Sequence, residues 1–176
     1  MYATMFAMGG ILCLTIVALI ISSLFYRRCR YQLQLTLPGP PDQLFRCITE
    51  PHRLLQWIGG LVSCDYDSGD STKPGAVSTL TLRAGEHLNK MRSEVIEVTP
   101  DTWLKVKLTA LDGPKWEGIS EYRLQSQGQD TLLSVHHVFD LQSWFLRAMA
   151  PVFMLVGKKK MVQDFERLRR LLEVES

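Results

Sequence analysis

The sequence predicts an α+β fold. A curved antiparallel sheet of about seven strands wraps around a long C-terminal α-helix, with two short helices after the first strand and a transmembrane helix at the N-terminus. Three observations predict it. Residues 31–139 fall into short segments with apolar side chains at every second position, separated by clusters of Gly, Pro and Asp. Residues 141–173 hold the longest soluble stretch with apolar side chains at helical spacing: Leu141, Phe145, Ala148, Val152, Leu155, then Val162, Phe165, Leu168 and Leu172. Residues 1–26 contain no charged side chain.

The first stretch reads as a membrane anchor. Ile11 to Leu24 is rich in Ile, Leu and Val, and about 20 such residues cross the hydrocarbon layer. Arg27, Arg28 and Arg30 follow directly. A secretory signal carries its positive charge before the apolar run and a small-residue cleavage site after it, and this order is the reverse. The arginines stay on the cytoplasmic side, so residues 5–26 span the membrane with the N-terminus outside and the domain inside. In a bacterium this would be the inner membrane. A cleaved signal peptide is the competing reading. The expected division is residues 1–30 as anchor with basic flank and residues 31–176 as one ligand-binding domain.

Tyr31, Leu33, Leu35 and Leu37 alternate with Gln32, Gln34 and Thr36, which predicts a half-buried strand over 31–37. Pro38-Gly39-Pro40-Pro41 ends it. Residues 42–49 predict a short helix with Leu44, Phe45 and Ile48 on one side. Pro51 opens a second through Trp57, and Gly59-Gly60 stops it. Strands are then expected over 61–66, 76–84, 87–98, 102–110, 115–124 and 131–139. Asp112-Gly113-Pro114 and residues 126–130 are among the turns between them. Pro151 and Gly157 predict that the terminal helix bends or breaks between Ala150 and Lys158.

Composition narrows the function. The net charge of +2 over 176 residues provides no field for nucleic acid. Cys13, Cys29, Cys47 and Cys64 show no metal-ligand or CxxC spacing and read as free thiols in a reducing compartment. His52, His87, His136 and His137 are too scattered for a metal cluster. No G-x-S-x-G elbow and no Gly-rich phosphate loop occurs. No metal and no cofactor is expected, and the sequence carries no signal for oligomeric state.

Pro41-Asp42-Gln43-Leu44-Phe45, then Ile48-Thr49-Glu50-Pro51, Leu54 and Trp57, resemble the SRPBCC or START-like helix-grip superfamily, which includes polyketide cyclase/dehydrase-like and lipid-transfer members. The order of elements from Tyr31 to about Glu173 matches as well, so the resemblance covers the whole soluble part. It implies a helix-grip fold. It is nearly silent on function, because members bind varied lipids, sterols, quinones and polyketides, and some are enzymes or co-chaperone regulators.

A long helix closing a curved sheet leaves a cavity lined by the inward strand faces. The expected lining is Trp57, Tyr66, Leu80, Leu82, Met91, Val95, Leu104, Val106, Trp116, Tyr122 and His137, with Phe145, Met149 and Phe153 from the helix. The set is mostly apolar, as suits a hydrophobic small molecule or lipid. The same residues also suit a filled core. His136 and His137 face opposite sides of a strand, and alternation turns His137 inward, where it could orient a ligand carbonyl or act as an acid or base. A core histidine with a satisfied partner is the plainer alternative. Three functions stand open: a membrane-anchored binding protein, a cyclase- or dehydratase-type enzyme using His137 with Tyr122 or Glu94, and an interaction module. Lys158, Lys159 and Lys160 are either a solvated face or a contact with anionic lipid headgroups. Residues 150–157 could form a gate, dip into the membrane surface, or be a kinked core segment.

Overall fold

The computed structural model describes residues 26–70 and 72–175, together with Val17 and Ile21. Seven strands form one antiparallel sheet: β1 (Arg28–Pro38), β2 (Leu61–Ser68), β3 (Val77–Ala84), β4 (His87–Thr99), β5 (Trp103–Ala110), β6 (Trp116–Gln127) and β7 (Asp130–Leu141). Four helices accompany them among the described residues: α1 (Pro41–Thr49), α2 (Pro51–Trp57), α3 (Trp144–Ala148) and α4 (Ala150–Glu175). The spatial order is β1-β7-β6-β5-β4-β3-β2. Sequential hairpins build β2 through β7, and the first strand pairs with the last, Leu33 opposite Val135. Bulges between Leu61 and Ser63, Tyr66 and Ser68, and Val95 and Glu97 raise the local twist and curl the sheet toward the helix.

The alternation read from the sequence sets the two faces. On β1, Cys29 and Leu37 are buried while Arg30, Gln32, Gln34 and Thr36 are exposed. Proline opens both short helices in the first turn, where its missing N–H costs nothing. α1 buries Leu44, Phe45, Cys47 and Ile48. α2 delivers Trp57, whose indole N–H donates to the Cys47 carbonyl at 2.9 Å and whose ring stacks on Phe165 of α4.

The second half of α4 fills the sheet's concave face. Phe165, Leu168 and Leu172 enter one core with Leu37, Leu44, Val95, Leu104, Leu124 and Leu133. Each fully buried leucine stabilises the fold by about 2 kcal/mol. A polar clasp fixes the same half. Asp164, 7% exposed, accepts the Gly59 N–H at 3.0 Å and an Arg167 guanidinium N–H at 3.0 Å, and pairs with Lys160. Gly59 leaves room for this clasp: a Cβ would stand 1.9 Å from Arg167 Nη1 and 2.9 Å from Asp164 Oδ1, so any side chain there would displace the guanidinium.

Three boundary differences bear on the site, beyond shifts of one to three residues at other strand ends. β1 begins at Arg28 rather than Tyr31, so two of the arginines expected to flank the anchor belong to the sheet; Arg28 pairs in register with Asp140. Leu141 ends β7 instead of starting the terminal helix. The helical break falls at Met149, before the expected interval of residues 150–158. Its cause is placement: Pro151 sits in the first turn of α4, where it removes no hydrogen bond, and α4 then runs unbroken through Gly157. The expected membrane span, residues 5–26, lies outside the described residues except for Val17, Ile21 and Tyr26. Among the described residues no helix is long and apolar enough to cross a membrane.

Leu168, 0% exposed, and Leu155, 74% exposed, lie on the same helix. Leu168→Ala is expected to cost about 3 kcal/mol, and Leu155→Ala within about 0.5 kcal/mol of nothing. Urea-unfolding midpoints check both; equal effects would contradict this division of α4.

Candidate functional site

The space between the concave sheet face and the first half of α4 holds two main cavities. The first is about 250 Å³ and is lined by Trp57, Ile58, Tyr122, His137, Met161 and Phe165, with Lys160 and Asp164 also on its wall. The second is about 390 Å³ and is lined by Cys29, Met91, Leu108, Trp116, Leu146 and Phe153. Tyr31 and Phe139 line both, so the cavities adjoin. A smaller pocket of about 110 Å³ shares Met91, Trp116 and Leu146 with the second and adds Leu82. The two main volumes together fall in the range of about 300–1,000 Å³ that holds typical small ligands.

Two glycines shape this space. Gly157 faces Tyr31, where a Cβ would stand 2.8 Å from the phenol oxygen. Its absence lets Tyr31 lie against α4 and donate a hydrogen bond to the Phe153 carbonyl at 3.1 Å. Gly118 faces Phe139, where a Cβ would stand 2.4 Å from Cδ1. Phe139 in turn packs edge-on to Tyr31 and Trp116 and stacks with His137.

Few polar atoms enter. His137 shares a 2.6 Å hydrogen bond between Nδ1 and the fully buried Ser120 hydroxyl, and its ring meets Tyr122 edge-on at 5.7 Å. Burial, helped by the neighbouring His136, pushes the His137 pKa down to about 4. Burial pushes the Tyr31 and Tyr122 phenols up to about 12, and it also raises the Cys29 thiol. These groups are therefore uncharged at neutral pH. The lining offers neutral hydrogen-bonding tips inside an apolar wall, which suits an apolar molecule with a carbonyl or hydroxyl.

The sequence-derived candidates divide by position. Trp57, Tyr122 and His137 line the first cavity, Met91, Trp116 and Phe153 the second, and Leu82 the small pocket. Leu104 and Val95 are buried in the core, and Val106 packs against it. Tyr66 lies away from the cavities: it is 39% exposed and donates its hydroxyl to the Thr49 carbonyl, beside the bulge that shifts β2. Phe145 points to solvent because the break at Met149 orients α3 so that Leu146 faces in; Met149 caps that helix instead of lining a cavity. Glu94 faces Arg92 on the outer side of β4, so it is not brought to His137. Lys158, Lys159 and Lys160 are all exposed, and Lys160 pairs with Asp164.

Tyr31 and Phe139 are the central residues the candidate set omitted. Both stood on the apolar faces of their strands, and that alternation was the available signal. Among the described residues no group of three or more His, Cys, Asp or Glu is arranged to hold a metal ion. A further groove of about 470 Å³, with Gln32, Gln34, Trp103, Glu121, Arg123 and His136, lies on the opposite, polar side of the sheet.

Residues 28–173 match the model of the family described as polyketide cyclase/dehydrase and lipid transport. The chain belongs to this family. Solved structures give the same fold. A conserved protein from Geobacillus kaustophilus aligns with a TM-score of 0.71 at 14% identity, covering 82% of this chain and 95% of that one. A protein from Chromobacterium violaceum aligns at 0.66 and 17% identity, covering 82% and 96%. DynU16, from the dynemicin biosynthetic locus, aligns at 0.59 and 22% identity, covering 84% of this chain and 48% of that one. None of the curated proteins matches the sequence. At these identities the structural likeness speaks for fold alone, and the family spans both enzymes and carriers by its own description.

His137 makes stability depend on pH. Its folded pKa of about 4 lies below the ordinary 6.5. Above pH 6.5 both states leave it neutral. Between 6.5 and 4 the unfolded chain takes a proton that the folded one refuses, so stability falls as pH falls. The total loss is up to about 3 kcal/mol, complete near pH 4. Urea midpoints measured from pH 7 to 4 check this; His137→Gln is expected to flatten the dependence, and an unchanged slope would contradict the burial argument.

Proposed function

We propose that this protein is a membrane-anchored binding protein. It holds a hydrophobic small molecule or lipid between the sheet and α4, on the cytoplasmic side, without metal or cofactor. The observation that carries this reading is the pair of adjoining, mostly apolar cavities into which Tyr31, Tyr122 and His137 bring polar groups that are neutral, beside the Lys160–Asp164 ion pair on the first cavity's wall. The ligand's apolar body would fill the second cavity against Met91, Leu108 and Trp116. Its polar end would meet the phenols and imidazole of the first. Family membership supports the ligand class. The anchor rests on residues 5–26 and the arginines after them. With β1 starting at Arg28, the domain would sit directly at the bilayer surface.

A second reading is a cyclase- or dehydratase-type enzyme in which His137 and Tyr122 move protons. Their ring contact inside the cavity favours it. Two features weigh on the other side. A histidine with a pKa near 4 is a weak base at neutral pH, and its Nδ1 is already bonded to Ser120. The interaction-module reading is less favoured, because a vestigial site would be a filled one.

Native mass spectrometry of the full chain, released gently from its membrane, tests the binding reading. The expected result is an apolar adduct at one per chain. Met91→Trp fills the second cavity and is expected to reduce occupancy by roughly tenfold, the scale of losing about 1.4 kcal/mol. An adduct-free chain that also fails to take up an apolar fluorescent probe would sink the reading. Turnover of a co-purified substrate that falls with His137→Ala while binding persists would favour the enzyme.

A further inference from the structure

One group of exposed apolar side chains lies on α3 and the first turns of α4. Trp144 is 73% exposed and Leu155 74%; Phe145, Val152 and Val156 are exposed beside them in sequence. Val152, Leu155 and Val156 stand at i, i+3 and i+4 on α4 and so share one helix face. Contiguous exposed apolar faces on soluble domains mark contact sites. The same two helices supply Leu146 and Phe153 to the second cavity, so this face adjoins its wall.

Two further observations say what covers the face. The first is where the preceding chain arrives. The Leu141 N–H donates to the Arg27 carbonyl at 2.9 Å, and the Arg27 and Arg28 guanidinium groups lie 3.8 and 3.5 Å from Asp140. Trp144 follows three residues after Leu141. The uncharged residues 5–26 therefore join the domain beside α3, with no linker between. The second is charge. Residues 141–160 carry Arg147, Lys158, Lys159 and Lys160 and no carboxylate at all. Arg28 and Arg30 add exposed cations at the adjacent start of β1.

We propose that α3 and the first turns of α4 dock on the anionic leaflet of the bilayer that holds residues 5–26, and that the second cavity exchanges its lipid through this face. The proposal rests on the anchored, ligand-binding reading above. Trp144 and Phe145 reach the interfacial depth that aromatic side chains favour. Val152, Leu155 and Val156 enter the headgroup–acyl boundary as the apolar face of an amphipathic helix. Lys158 and Lys159 meet headgroup phosphates. A lipid leaving the bilayer between Leu146 and Phe153 enters the cavity without crossing water. A second copy of the chain is the poorer occupant: the face would bring its own excess of cations against themselves, whereas an anionic surface complements them.

The test uses the full chain reconstituted in phosphatidylcholine vesicles, with or without phosphatidylserine, in which some acyl chains are brominated. Quenching of tryptophan emission is compared between the natural chain and Trp144→Phe, which changes only an exposed side chain. A quenched component that disappears in Trp144→Phe is expected. It should grow with phosphatidylserine and fall by roughly half or more in the double variant Leu155→Asp, Val156→Asp. An unquenched Trp144 with red-shifted emission places the face in water and overturns the proposal. An unquenched Trp144 with blue-shifted emission places it under protein, either a second copy or the chain's own N-terminal residues, and overturns it equally. Uptake of an apolar fluorescent probe in the same vesicles separates the two readings. Unquenched Trp144 with probe uptake sinks the docking and leaves the cavity reading, and quenched Trp144 without uptake sinks the cavity reading together with the lipid exchange and leaves the docking. A chain that does not float with vesicles at all overturns both the anchor and the docking.

Discussion

The seating of the second half of α4 is the constraint on which everything else depends. Phe165, Leu168 and Leu172 are locked into the concave sheet face, and Asp164 is tied to the Gly59 backbone. That fixes the helix axis at one end. The first half of α4 must then pass over the remaining concave surface at a distance set by Tyr31, whose phenol meets the helix at Gly157 and Phe153. The first cavity lies between these two contacts, and the second lies beside Tyr31 and Phe153 toward α3. A helix whose apolar stripe continued unchanged from end to end would have closed that space. Here the first half of α4 exposes Val152, Leu155 and Val156 while Ala150 and Met154 pack on Cys29 and Leu141, and Phe153 and Met161 share the cavity walls with Tyr31, Phe139 and Leu146.

The chemistry of the cavity follows from the same burial. Taking an imidazole and two phenols out of water suppresses their charged forms, so these three tips act as dipoles, and the Lys160–Asp164 pair on the first cavity's wall adds no net charge. Such a site recognises a neutral polar tip on an apolar body and discriminates against ions. It also explains why a fold shared with cyclases need not run acid–base chemistry here. Ser120 holds the imidazole Nδ1, and Glu94 and Glu121 both lie on the outer side, against Arg92 and Lys105, so neither stands behind His137 to raise its basicity.

Much of the fold was legible because strand alternation and proline–glycine punctuation are local. Tyr31, Leu33, Leu35 and Leu37 declared one face of β1 before any partner was known, and Pro51 with Gly59-Gly60 bounded α2. His137 could be turned inward and His136 outward by parity alone. What failed depended on neighbours far along the chain. Pro151 breaks a helix only in its interior, and its harmless first-turn position is decided by where β7 ends, at Leu141. That same boundary exchanged Phe145 for Leu146 on the cavity wall. Tyr66 was displaced by bulges in β2, which alternation does not announce. The separation of cavity-lining residues from core residues such as Leu104 was not legible either, since both present identical apolar alternation.

The central claim is that an apolar ligand lies between the sheet and α4. Photo-crosslinking tests it most directly. A lipid with a diazirine in its acyl chain would be incorporated with the full chain in vesicles, activated, and its adducts mapped by peptide mass spectrometry. Adducts on Met91, Leu108, Trp116 or Phe139, residues enclosed by the domain, are the predicted result. Adducts confined to residues 5–26 and the exposed face around Trp144, with none on the concave sheet, would contradict it.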